Sequence, residues 1–257
     1  MSMQPPTRPY RLYPAYCFRA SPTFNIWAKI TAADVQALQT EKGFEGQRIY
    51  FHLNHPIRYV RVVGVIVAID DINLRYTVLT LDDGSGRTIE LKIVRLPPAE
   101  RNPVDTSSNT ELSNVDIISR CGIFEVVVDS QPLDIGSVVK AKCTISEFRG
   151  IKQLELKRVS IVSTTNEEAK AWAETAAFKQ KVLSKPWHLS STEHKKITHS
   201  IKSEKKKLQE NERRTAEYEI KKEERRIARE AYDAKRDRKL ETRRRKEEIV
   251  MNTGALI

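Results

Sequence analysis

Apolar residues recur with period two through the middle of the chain. Arg87–Val94 places Ile89, Leu91 and Ile93 on one face and Thr88, Glu90 and Lys92 on the other, the pattern of a half-buried strand. Arg75–Leu81 alternates in the same way, and Asp82-Asp83-Gly84-Ser85-Gly86 between the two predicts a tight turn. Val60–Ile69 is a β-branched run that ends at Asp70-Asp71. Strand patterns return at Ile123–Val128, Ser137–Phe148 and Gln153–Val162, with Arg149-Gly150 as the turn between the last two. In Ser137–Phe148 the inward set is Val139, Ala141, Cys143 and Ile145. Leu154 and Leu156 share a face, whereas Val159 and Ile161 have the opposite parity, so a bulge near Lys157-Arg158 is expected. Pro97-Pro98 opens a polar stretch, Ala99–Ser113, that reads as a loop insertion. Five or more strands, one long first strand and a mid-chain connection predict a small closed barrel of the OB type, with a flat sandwich as the competing architecture.

Helical periods flank this region. Thr31 caps a short predicted helix, Ala32–Gln39, with Gly43 beyond its end. Overlapping capping boxes in Thr164-Thr165-Asn166-Glu167-Glu168 start a second helix, Asn166–Leu183, which Pro186 ends. Ala169, Trp172, Ala173 and Ala176 recur on it at helical spacing. Small alanines around one ring suit close approach to another helix with Trp172 as anchor; packing on the chain's own barrel is the alternative. A third capping box, Ser190-x-x-Glu193, opens Thr192–Met251, which contains no Gly or Pro. Its apolar residues are sparse, so it reads as a charged, solvated helix more than as a coiled coil. The expected organisation is mainly β with α: a flexible Pro/Tyr-rich arm over 1–23, an OB-fold domain over 24–163, a partner-pairing helix over 164–186 and a long charged helical tail over 187–257.

Charge sharpens this division. The 257 residues hold 45 Lys/Arg against 34 Asp/Glu, a net +11, and residues 193–248 alone hold 21 against 14. A basic balance favours a polyanionic partner. No apolar run reaches the roughly 20 residues of a membrane helix, and the N-terminus has no apolar core of a secretory signal. Cys17, Cys121 and Cys143 are an odd, widely spaced set, so an intracellular, reducing compartment without disulfides or a metal knuckle is expected. His52, His55, His188, His194 and His199 form no HExxH, and no GxSxG, P-loop or GxGxxG is present. Neither an enzyme nor a cofactor is expected.

Grooves for single-stranded nucleic acid need cations for phosphates and rings for bases. OB barrels use the face of strands two and three and the neighbouring loops. The outward face here offers Tyr76, Val78, Thr80, Thr88, Glu90 and Lys92. The final hairpin adds Phe148, Arg149 and Lys152, with Lys140 and Lys142 nearby. Lys92, Lys140, Lys142, Arg149 and Lys152 are the phosphate candidates, and Tyr76 and Phe148 the stacking candidates. Glu90 and the shortage of rings predict weak affinity. A solvated barrel surface is the alternative.

His55-Pro56-Ile57-Arg58 leads into Val62-Val63-Gly64-Val65-Ile66, then through Tyr76-Thr77-Val78 to the DDGSG turn. Ile135-Gly136-Ser137-Val138-Val139-Lys140-Ala141-Lys142 precedes the Arg-Gly hairpin. Together these resemble the Stn subunit of the CST telomere complex, a relative of the middle subunit of replication protein A. The resemblance covers about Phe24–Leu183. It implies an OB barrel whose following helix, here Ala169, Trp172, Ala173 and Ala176, pairs with a small OB protein, the Ten subunit. It further implies a nuclear, telomeric location, a large CST subunit, capping of single-stranded telomeric DNA, and help to DNA polymerase alpha–primase in fill-in synthesis. Many members carry C-terminal winged-helix domains; at that place this sequence is expected to carry the charged helix instead. A generic OB-fold protein for RNA or single-stranded DNA, and a helical scaffold without nucleic-acid contact, are the other readings.

Overall fold

The alternating segments pair into a closed sheet in a computed structural model that describes residues 10–73, 75–97, 109–120 and 123–254. The elements in chain order are β1 (Ala28–Lys29), α1 (Ala32–Ala37), β2 (Tyr50–His52), β3 (His55–Ile57), β4 (Tyr59–Asn73), β5 (Tyr76–Asp82) and β6 (Thr88–Val94). Then come β7 (Val115–Arg120), β8 (Ile123–Val128), β9 (Gln131–Pro132), β10 (Val138–Phe148), β11 (Ile151–Ile161), α2 (Thr165–Phe178) and α3 (Ser191–Gly254). The strand order β1-β4-β10-β11-β6-β5 closes through a β4–β5 pairing, which is the OB connectivity with β1 added beside β4. A sandwich is thereby excluded.

Closure explains the long first strand. Residues 59–65 of β4 pair with β10 and residues 65–73 pair with β5, so one strand serves both edges. Gly64 sits where they meet: a Cβ there would lie 2.3 Å from the Asp82 carbonyl oxygen, so only glycine admits the approach. The parity break in β11 is a bulge, because Lys142 pairs with Arg158 and Cys143 with Leu156, leaving Lys157 extra. Val159 thereby joins Leu154 and Leu156 in the core. The aspartates of the DDGSG turn act as turn formers. Asp82 Oδ1 accepts from the Gly84 amide at 2.9 Å and Asp83 Oδ1 from the Ser85 amide at 3.0 Å. Asp83 Oδ2 also accepts from the Ala32 amide at 2.7 Å, tying the turn to the start of α1.

Three expectations change. The arm is packed from Tyr10 onward where described: Ala15–Ala20 form a 3-10 helix, and Tyr13, Cys17 and Phe18 are buried. Phe18 joins Ile49 and Phe51, with Phe24, Phe44 and Trp187 packed against them. The prolines bend the chain; they do not keep its aromatic rings in water. Residues 1–9 of that arm lie outside the described residues. The loop insertion falls mostly outside them too, but its end does not: Thr110 bridges to Arg95, and Leu112 is buried in the core. Finally, β7 was absent from the periodicity. It pairs with β8, and Val115, Ile117, Val126 and Val128 plug the barrel between β6 and β10.

The helices follow their caps. Thr31 and Asp34 form a full capping box on α1, which ends before Gln39 because Leu38 turns to extended backbone and Gln39 bridges to Phe51. Thr164 accepts from the Glu167 amide at 3.2 Å to start α2. After Phe178 the helix widens to i→i+5 bonding over Lys179–Leu183, and Leu183 is buried. The chain divides into two units, Met1–Ser190 and Ser191–Ile257. The second is the single 64-residue α3, about 96 Å long at 1.5 Å per residue. No helix among the described residues is long and apolar enough to cross a membrane.

Candidate partner and nucleic-acid surfaces

One buried arginine divides α2 into two faces. Arg61 stands in the apolar run of β4 and points outward under the helix. Its Nη1 donates to Glu174 Oε2 at 2.6 Å, and its Nη2 donates to the Ala171 carbonyl at 3.1 Å and to Thr175 Oγ1 at 3.3 Å. Lys29 Nζ donates to the same Glu174 oxygen at 3.0 Å. These two cations hold the Glu174 carboxyl at about 2, well below its usual range. Ala171 packs with Val63 and Val162. At the ends of the helix, Lys140 Nζ donates to Glu167 at 2.8 Å and Lys179 Nζ to Asp34 at 2.6 Å.

The other face is the predicted stripe. Ala169, Trp172, Ala173 and Ala176 are all exposed, and Trp172 keeps 51% of its surface in water. Beside the ring lies a cleft of about 310 Å³, lined by Trp172, Ala176, Lys179, Val63 and the Asp83–Ser85 turn. Sequence reading missed Arg61, although a lone arginine inside a β-branched run followed by Glu174 on a helix was its available signal.

The seven nucleic-acid candidates occupy several surfaces rather than one groove. Tyr76 and Lys92 meet on β5–β6, with Lys92 Nζ 3.6 Å from the ring centroid. Phe148 and Arg149 form the β10–β11 turn; the ring is 56% exposed with the guanidinium 5.1 Å from its centre. Lys152 turns toward α1, donating to the Gln36 carbonyl at 3.2 Å. Lys140 is engaged by Glu167 of α2, and Lys142 lies 5.8 Å from the Trp27 ring, opposite Arg61 on β4. Trp27 stacks edge-on with Tyr59 at 5.1 Å, and Arg58 covers Tyr59; this ring-and-cation group was not foreseen.

Carboxylates neutralise much of the β5–β6–β11 face. Glu90 accepts from Gln153, and Glu155 accepts from Lys157 and, at 3.0 Å, from Arg48. Burial pushes the Glu155 carboxyl up, but Lys157 and Arg48 outweigh it and hold it below its usual range. Among the described residues no group of His, Cys, Asp and Glu could hold a metal ion.

Residues 45–248 match the family model described as telomere regulation protein Stn1. The CST complex subunit STN1 of Bos taurus is 23% identical over 178 residues, which is 68% of this chain and 47% of that protein. The chain thus spans about half the length of this curated relative. A crystal structure of yeast Stn1 and Ten1 superposes with a TM-score of 0.51 at 14% identity, covering 74% of this chain and 91% of that one. The S. pombe Stn1–Ten1 complex gives 0.45 at 22% identity, covering 62% and 94%. The yeast likeness shows the fold.

Proposed function

Since the chain belongs to the Stn1 family of telomere regulation proteins, we propose that α2 pairs it with a small OB-fold protein of the Ten type and that the pair holds single-stranded telomeric DNA. The observation that carries this reading is the two-faced α2. Its inner face is satisfied by Arg61, while Trp172 and three alanines stand in water on the outer one. A half-exposed indole flanked by small residues beside a cleft is the form of an interface anchor. Tyr76 with Lys92, and Phe148 with Arg149, supply a ring and a cation at two places on the barrel. The neutralised face between them makes binding by this chain alone weak. The same reading adds a large CST subunit and DNA polymerase alpha–primase as further partners, fill-in synthesis as the outcome and the nucleus as the place. The chain acts by binding, with 24–163 as barrel, 164–186 as pairing segment and 187–257 as tail.

Titration of Trp172→Ala with the small partner tests it. Pairing should weaken by roughly 2 kcal/mol or more, about 30-fold in Kd, while near-ultraviolet circular dichroism confirms an intact barrel. An unchanged Kd in a folded variant removes α2 from the interface.

A further inference from the structure

Charges on α3 are sorted by face. Between Tyr218 and Lys246 the spacing of 3.6 residues per turn brings Lys221, Arg225, Arg236, Lys239, Arg243 and Lys246 within about 60° of Tyr232, and Tyr218 with them. No acidic residue of that stretch falls in this sector. Glu219, Glu223, Glu230, Asp237 and Glu241 gather on the opposite side. Three of them are occupied there: Arg226 pairs with Glu223 at 2.6 Å and Glu230 at 3.7 Å, and Arg245 with Glu241 at 3.3 Å. Of the stripe, Arg243 pairs with Glu247 at 2.9 Å, whereas among the described residues Lys221, Arg225, Arg236, Lys239 and Lys246 have no ion pair. An ordinary solvated helix interleaves its charges so that i,i+4 pairs neutralise every face. This one leaves a basic stripe about 42 Å long.

We propose that this stripe is a second nucleic-acid site that takes single-stranded DNA or RNA. The uncompensated cations fit a polyanion by charge complementarity. The rings choose between polyanions. Tyr218 and Tyr232 are 66% and 68% exposed, stand at the start and at the midpoint of the stripe and lie about 21 Å apart along it. Rings interleaved with cations are what splayed bases stack on, and duplex DNA keeps its bases from them.

The full chain is titrated with a fluorescent oligothymidylate of about 30 nucleotides, in a background carrying Tyr76→Ala and Phe148→Ala so that barrel stacking is removed. One variant carries Lys221→Gln, Arg225→Gln, Arg236→Gln and Lys239→Gln. A matched variant carries Arg226→Gln, Arg238→Gln, Arg244→Gln and Arg245→Gln, with the same change of net charge. The first should weaken binding on the order of 100-fold at low salt and flatten the slope of log K against log salt by about 2.8, at about 0.7 per phosphate contact. The second should weaken it less than about fivefold. Tyr218→Ala with Tyr232→Ala should weaken binding at least about fivefold with the slope unchanged. Equal losses in the two charge variants overturn the site. Tighter binding of a duplex of the same length, or of polyglutamate, overturns the choice of ligand. Circular dichroism at 222 nm confirms helicity in each variant.

Discussion

The barrel and α3 use the same charged residue types for opposite ends. In the barrel, central cations are committed. Arg61 is buried and donates to three acceptors, Glu174, the Ala171 carbonyl and Thr175, and Arg95 is buried on Asp71 and Thr77. On α3 the cations are exposed, and among the described residues runs such as Lys205-Lys206-Lys207 have no ion pair. Net charge therefore says little about where a polyanion binds. What counts is which cations are left without an internal partner. The barrel commits Arg61 to holding α2 and Arg95 to joining β4 and β5, and α3 leaves its arginines outward.

The comparison breaks or holds on three measurements. The largest effect belongs to Arg61→Ala, which leaves Glu174 without its main partner and takes from the Ala171 carbonyl one of its donors, the Thr175 hydroxyl remaining. The barrel unit should lose about 2–3 kcal/mol in urea unfolding, discounted from the roughly 3–5 of a fully buried pair because Glu174 is 37% exposed. A loss under about 1 kcal/mol would make this arginine as expendable as those of α3.

Acid should expose the same pair. Glu174 titrates at about 2 in the folded chain and near 4.5 when unfolded. Its contribution is thus complete above pH 4.5 and fades as pH falls toward 2. With screening of its exposed side, about 1 kcal/mol should disappear across that window. Glu174→Gln should show a correspondingly shallower acid slope, and identical slopes would sever the link. The smallest change is expected on α3. Arg226→Ala removes two ion pairs, to Glu223 and Glu230, yet should shift the helical melting signal by no more than about 0.5 kcal/mol. A shift several times larger would mean that α3 depends on its charges as the barrel does.

The barrel was legible because period-two alternation fixes which side chains turn inward, and even the bulge at Lys157 showed as a parity flip. Strand β7 was not, because Val115-Asp116-Ile117-Ile118-Ser119-Arg120 is short and follows a polar stretch that set the reading to loop. The outward set of α2 was legible from the spacing of Ala169, Trp172, Ala173 and Ala176. The nucleic-acid candidates were not, for a different reason. Alternation tells which residues leave the core, but not which side of a closed barrel they leave from. Lys140 therefore emerges beside Glu167 of α2, while Tyr76 and Lys92 emerge on β5–β6. The arm was misread from composition: five prolines before residue 23 outweighed Tyr13 and Phe18, whose burial needed the partners Trp187 and Phe51 from far along the chain.

The anchoring of α2 at both ends has an entropic consequence. Thr164 fixes its start directly after β11, and Lys179, Leu183 and the Trp187 amide on Asn54 fix the chain beyond its end. The helix is therefore ordered before any partner arrives. A segment that folds on contact loses part of its gross interaction energy to its own ordering. Here that loss falls on the folding of the barrel unit, so a partner small enough to cover little more than one helix face can still be held firmly.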